Sequence, residues 1–269
     1  ERAAQANQLA NLRSQLLALA NQGNGAGGYL FGGQGGTTLP FLDTPAGVVA
    51  SGAAGQALLS NTEQMPSTVD GQAIWLAARS GNGVFTTAAV SGNTGSGWID
   101  AGTVSNPSAL AGGSYTVEIV DNNGVTSVSV LHDGQPTAID NQPYRSGQAL
   151  SVDGMTFTLK GDPRAGDRFA ITPAAPDLNV FAALDSAIAV LKNPAANAGQ
   201  VAQAVNAGVR DMDAVMGHMQ AARAETGSML NRLDALDARN QDRSLWAKAV
   251  QSDAEDLDML QAISTFQNQ

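Results

Sequence analysis

Apolar residues recur at helical spacing near both ends of this chain and at alternate positions through its middle. Over residues 1–22, Leu9, Leu12, Leu16 and Leu19 step by three, four and three, which predicts an amphipathic helix with those leucines along one seam. Asn7, Asn11, Ser14 and Gln15 take much of the remaining surface. Gly23 is expected to end this helix, because glycine enters the left-handed C′ conformation without a Cβ clash. From about 98 to 176 the period changes to two. Tyr115, Val117 and Ile119 alternate with Thr116 and Glu118, and Val128 and Val130 alternate with Ser127 and Ser129. Asp121-Asn-Asn-Gly124 and His132-Asp-Gly134 supply hairpin turns, and Val152-Asp-Gly-Met155 supplies another ahead of Phe157 and Leu159. Phe169 and Ile171 predict a last strand, ended by Pro173 and Pro176. Residues 46–97 show no single period; irregular strands and loops anchored by Trp75 and Phe85 are expected there.

The helical period returns at Asp177, the expected N-cap of a helix carrying Leu178, Phe181, Leu184, Ile188 and Leu191, which stops at Asn193-Pro194. A long helix is predicted from about 196 to 240, with Val205, Val209, Met212, Met216 and Met219 on one seam and Leu230 and Leu233 resuming it. A final helix over 242–266 is expected to bury Leu245, Trp246, Val250, Leu257, Leu260 and Ile263. The pattern reads as an α+β fold, an elongated rod of long antiparallel, coiled-coil-like helices with an inserted antiparallel β domain. Residues 1–45 and 177–269 make the rod, with part of 46–97 attached as irregular β, and 98–176 make the insertion. Within the rod, the seam of Leu9 to Leu19 is expected to pack on Val209, Met212, Met216 and Met219 or on the final helix.

Composition narrows the function. A formal charge of −10 argues against wrapping nucleic acid, which needs a basic face to displace counterions. There is no cysteine, so disulfides, thiolate nucleophiles and cysteine metal sites are excluded. No run of ~18 apolar residues is present, so no membrane insertion through a helix is expected. The chain opens at Glu1 without Met and is already helical there, as a trimmed piece of a longer protein would be.

Each chemical candidate fails on context. Residues Gly23 to Gly28 satisfy G-x-G-x-x-G, with Asp43 downstream, but a dinucleotide loop needs a strand before it and a helix after it. Here a helix precedes the glycines. His132 and His218 lie far apart, neither has a second histidine four residues on, and His132 is expected to be exposed beside its turn. The acidic run Asp253-Ala-Glu-Asp-Leu-Asp258 lacks the glycine and ligand spacing of a calcium loop and reads as a solvated helix face. No nucleophile elbow or P-loop occurs. No catalytic, cofactor-binding or metal residue is assigned, and no enzyme is expected.

The two ends carry motifs of a known family. Gln8 to Phe41, QLANLRSQLLALANQGNGAGGYLFGGQGGTTLPF, resembles the first long helix and following turn of the flagellin superfamily. Tyr29-Leu-Phe-Gly-Gly33 and Pro40-Phe41 are similar to the hook-associated protein 3 branch, the hook–filament junction proteins, rather than to flagellin itself. RAETGSMLNRLDALDARNQD (Arg223–Asp242) and the stretch from Leu257 to Phe266 resemble the family's C-terminal pattern, and the middle is loosely similar to its variable β insertion. The resemblance implies a structural subunit of the bacterial flagellum that joins hook to filament. It further implies export through the flagellar secretion system to an extracellular location. Flagellin and hook-associated protein 1 are then the implied neighbours, with other copies of the chain in a ring and a secretion chaperone as further partners. The polymerising ends of such subunits lie outside this sequence, so a monomer is expected. The alternatives are a flagellin filament subunit or a secreted coiled-coil adhesin. In some flagellins an arginine followed seven and eight residues later by Ala-Asn is read by an innate immune receptor. Arg13, Ala20 and Asn21 keep that spacing, but Ser14 and Gln15 replace Glu-Leu, so strong receptor binding is not expected.

Overall fold

The computed structural model describes residues 1–25, 27–33, 37–51, 56–58, 64–66 and 69–267. Helix α1, Arg2–Ala20, opens the chain. Two short hairpins follow, β1 (Phe41–Thr44) with β2 (Gly47–Ala50), and β3 (Gln56–Leu58) with β4 (Gln64–Pro66). Helix α2, Gly71–Leu76, is short and capped by the Asp70 carboxylate, which accepts from the backbone N–H of Gln72 and Ala73.

The β-rich middle begins with β5 (Phe85–Ala89), β6 (Trp98–Ile99) and β7 (Thr103–Val104). It continues through β8 (Tyr115–Asn122), β9 (Val125–His132), β10 (Gln135–Pro136) and β11 (Gln142–Pro143). It ends with β12 (Ala149–Val152), β13 (Met155–Lys160) and β14 (Arg168–Pro173). One antiparallel sheet runs β10-β9-β8-β14-β5, with β11 also on β9; a second runs β12-β13-β6, with β7 also on β13. The sheet therefore starts earlier than residue 98, because β5 pairs along its whole length with β14, Phe85 opposite Pro173 and Ala89 opposite Phe169.

Alternation puts Tyr115, Val117 and Ile119 of β8 inward, with Val128 and Val130 of β9 and Phe169 and Ile171 of β14. They meet Leu150, Val152, Met155, Phe157 and Leu159 of the other sheet in one core. Each such aliphatic side chain contributes about 1.5–3 kcal/mol by leaving water. The β8–β9 turn has Asn123 at φ 54° and Gly124 at φ 84°, the type I′ geometry whose twist matches that of the strands. Asp133-Gly134 and Asp153-Gly154 repeat it.

Helix α3, Val180–Lys192, is capped by Asn179 rather than Asp177. The Asn179 side-chain oxygen accepts from Phe181 and Ala182 N–H, while Leu178 is still extended and donates its N–H to Ala78. Ser80 N–H likewise donates to the Ala175 carbonyl at 2.9 Å, so the segments on either side of the β-rich middle are bonded to each other.

Helix α4 runs Ala198–Gln267 without interruption. Asn197 and Gln200 cap it reciprocally, each side chain accepting from the other's backbone N–H. The expected break near 240–242 is absent, since Arg239-Asn-Gln-Asp-Arg243 contains neither proline nor glycine and its polar side chains are tolerated on an exposed helix.

The chain divides into two compact units, Glu1–Met219 and Gln220–Gln269. In the first, α1 packs on α3, and the observed seam differs from the leucine seam. Ala6 and Ala20 are fully buried, Leu9, Leu16 and Leu17 are half-buried, and Leu12 and Leu19 are each 51% exposed. The physical reason is that alanines let the two helices approach closely, which rotates the contact face away from Leu12 and Leu19. Ala6 and Leu9 meet Ile188 and Leu191, while Leu16 and Leu17 join a core built on Phe41, Trp75, Phe181 and Val215. Met212 and Met219 reach that core as expected, but Val209 and Met216 are exposed. Trp75 anchors it, edge-on to Phe31 at 5.5 Å and stacked on Phe181 at 6.1 Å. Phe85 anchors the other core.

Candidate assembly surface

The glycine-rich segment does not form a phosphate cradle. Helix α1 stops at Ala20, with Asn21 at its C-terminus, and Gly23 does not take the left-handed conformation expected of it. Asn21 ends the helix by a different device. Its side-chain amide donates to the Phe41 carbonyl and accepts from the Phe41 N–H, both at 2.9 Å, which pins β1 against the helix end. Gly23 then bridges to Tyr29, and Phe31 packs on Trp75. Ala26 and Gln34 to Gly36, part of the same segment, lie outside the described residues.

The two histidines serve unlike local roles. His132 stacks on Tyr115 with ring centroids 4.2 Å apart and is only 28% exposed, not free beside its turn. Asp153 accepts the Tyr115 hydroxyl proton at 2.6 Å, and burial together with that carboxylate pushes the phenol well above its usual range. His218 Nε2 lies 2.8 Å from the Ala73 carbonyl and so fastens α2 to α4. Among the described residues no three His, Cys, Asp or Glu side chains converge to hold a metal ion, and no helix is long and apolar enough to cross a membrane. Of the acidic run, Asp253 and Glu255 are exposed; the side chains of Asp256, Leu257 and Asp258 lie outside the described set.

Arg13 is the most connected charge, and sequence reading did not find its partners. Its guanidinium meets Asp43 at 2.7 and 2.8 Å and Asp185 at 2.6 and 3.0 Å, and it sits 6.0 Å from the Phe181 ring centre. Asp43's hydrogen bonds hold the guanidinium pKa above its ordinary value, and Arg13 in turn holds the Asp43 carboxyl below its own. The clamp joins α1, β1 and α3. Arg13, Ala20 and Asn21, the three residues with receptor-like spacing, are thus all engaged within the fold.

A second missed residue is Asp167, which is 2% exposed. Its carboxylate accepts from the backbone N–H of Thr94, Gly95 and Arg164, fixing the loop before β6 against the loop before β14.

The chain also leaves large apolar side chains uncovered. In the unit beginning at Gln220, Leu230, Leu245, Trp246, Val250, Met259, Leu260, Ile263 and Phe266 are between 46% and 82% exposed. The final helical stretch therefore does not bury these side chains within the chain as expected. Solvent-facing apolar area on this scale marks a contact surface. Exposed Val205, Val209 and Met216 in the first unit, and the cross-strand pair Leu42 and Val49 on β1–β2, are of the same kind.

No family model matches the chain. Flagellar hook-associated protein 3 of Escherichia coli (strain K12) is 36% identical over 97 residues, which span 35% of this chain and 31% of that relative. Among solved structures, hook-associated protein 3 from Legionella pneumophila superposes with a TM-score of 0.80 at 25% identity, covering 95% of this chain and 82% of the other. Xanthomonas campestris FlgL superposes with a TM-score of 0.74 at 26% identity, covering 87% and 77%. In sequence over those 97 residues, and in its α+β fold over most of its length, the chain is similar to the flagellar hook-associated protein 3 (FlgL) junction proteins.

Proposed function

We propose that this chain acts as a structural subunit that joins the flagellar hook to the filament and catalyses no reaction. The observation that carries the reading is the row of uncovered apolar side chains after Gln220, a surface made for neighbours, on a fold shared with junction proteins. The little-exposed charged side chains Arg13 and Asp167 are spent on holding loops and helices. In this reading the subunit is exported through the flagellar channel with a secretion chaperone. It then sits in a ring of its own copies, with hook-associated protein 1 on one side and flagellin on the other.

The test is complementation. A full-length protein carrying this sequence is expected to restore filaments on hooks in a strain lacking its own junction protein. Normal export without filament attachment would overturn the reading.

A further inference from the structure

His132 ends β9 directly opposite Tyr115 of β8, and each of its ring nitrogens has a carboxylate of its own. Nε2 lies 3.6 Å from Asp133 Oδ2, in the turn after β9. Nδ1 lies 3.7 Å from Asp153 Oδ2, in the turn between β12 and β13 of the other sheet. With Tyr115, which stacks flat on the imidazole, these carboxylates are the titratable groups that meet the ring. Among the described residues neither Asp133 nor Asp153 pairs with a lysine or arginine. Gly113 lies close on another side: at its φ of 74° a Cβ would stand 2.6 Å from both His132 Nε2 and Asp133 Oδ2. A cavity of about 460 Å³, lined by His132, Gln135, Thr137, Ser151 and Asp153, leaves the ring open to water and its protons.

A neutral imidazole carries one N–H and one lone pair. In either tautomer a lone pair therefore stands beside a carboxylate, and one carboxylate gets no donor from the ring. Only the imidazolium offers an N–H to both, and its charge offsets theirs. It also lays a cation against the face of Tyr115, which attracts one. We infer that His132 is a proton-operated clasp: its imidazolium binds Asp133 and Asp153 together and fastens the β8–β9 sheet to the β12–β13 turn of the other. The clasp is closed in acid and released as the pH rises and the proton leaves. The core beneath it, with Val117, Val130 and Phe157, is apolar and does not respond. The clasp lies in the β-rich middle and is independent of the proposed assembly role.

Hydrogen exchange of the 269-residue chain and of its His132→Gln variant tests this, read over residues 114–118 and 150–156, whose sequences the substitution leaves alone. Comparing the two proteins at the same pH removes the intrinsic dependence of exchange on pH. From about pH 8 to about pH 5, where histidine gains its proton, the ratio of variant to wild-type exchange rates at these strand ends should grow about fivefold, as two partly exposed ion pairs form. The same comparison in a background of Asp133→Asn with Asp153→Asn should give a ratio that does not change with pH. An amide still accepts a hydrogen bond but does not reward the charge. His132, Asp133 and Asp153 are 28%, 64% and 38% exposed, so far-UV circular dichroism should be unchanged in every variant. A ratio that stays constant or falls toward acid would overturn the proposal, and so would growth that persists in the asparagine background.

Discussion

Arg13 ties three elements together through one planar group, and its partners lie 30 and 172 residues away in sequence. Its own side chain is 12% exposed while Asp43 and Asp185 are nearly half exposed, so the ion pairs are partly screened by water. Arg13→Leu is expected to lower unfolding free energy by about 1–2 kcal/mol, the loss of charged hydrogen bonds discounted for that exposure. Urea unfolding of the two proteins measures it. The sign with pH follows from Asp43, whose folded carboxyl is held below its unfolded value. Stability from the pair is fully present above the unfolded carboxylate pKa of about 4 and fades as pH falls through the lower, folded value. The gap between wild type and Arg13→Leu should therefore be constant from pH 5 to 8 and close under stronger acid. Asp167 is the sharper case because it is buried. Asp167→Ala orphans the N–H groups of Thr94, Gly95 and Arg164 and should cost about 3 kcal/mol or more, read as a fall in the melting temperature of the β signal. A loss under 1 kcal/mol would mean that water replaces the carboxylate there.

At the scale of elements, the revised seam of α1 gives a contrast between neighbours. Leu16→Asp places a charge against the Phe41–Trp75–Phe181 core and should cost about 3 kcal/mol or more. Leu12→Asp, on the exposed side, should stay within about 0.5 kcal/mol of wild type. Thermal melts followed at the helical band decide between this seam and one built on all four leucines. The β hairpins were legible because their signals are local: alternation fixes the faces, and Asn-Gly or Asp-Gly fixes the turn. The α1 seam was only half legible. Counting leucines finds an amphipathic period, but contact along α3 is set by Ala6 and Ala20, whose small size is a property of the pair of helices. The start of α3 was missed by two residues for a related reason: Leu178 is held extended by Ala78, a partner one hundred residues earlier. The apolar face after Gln220 was visible as periodicity, which says that a surface is apolar and not whether the same chain covers it. The Arg13 clamp left no sequence signal, since neither carboxylate lies within a helical turn of it.

For the whole molecule, the two units should differ in how firmly their amides are held. In the unit after Gln220 the backbone bonds are helical, but almost no side chain from 240 to 255 is covered. Propensity alone gives marginal protection, while the sandwich core protects β8, β9 and β14 by packing. Hydrogen exchange should therefore be fast over 241–255 and slowest over 115–131 and 168–172; equal protection would mean that the late helix is covered in solution. The bonds joining Ala78 to Leu178 and Ser80 to Ala175 have a consequence for how such a chain can change over generations. They close the loop at its root, so the length beyond them carries little penalty, about 0.6 kcal/mol for each doubling. Replacing residues 82–173 by an Asn-Gly turn should leave the near-ultraviolet signal of Trp75 and its aromatic neighbours in place, and its loss would show that the helices need the sandwich. With that root intact, the β-rich middle is expected to tolerate changes in length while the packing around Trp75 is kept.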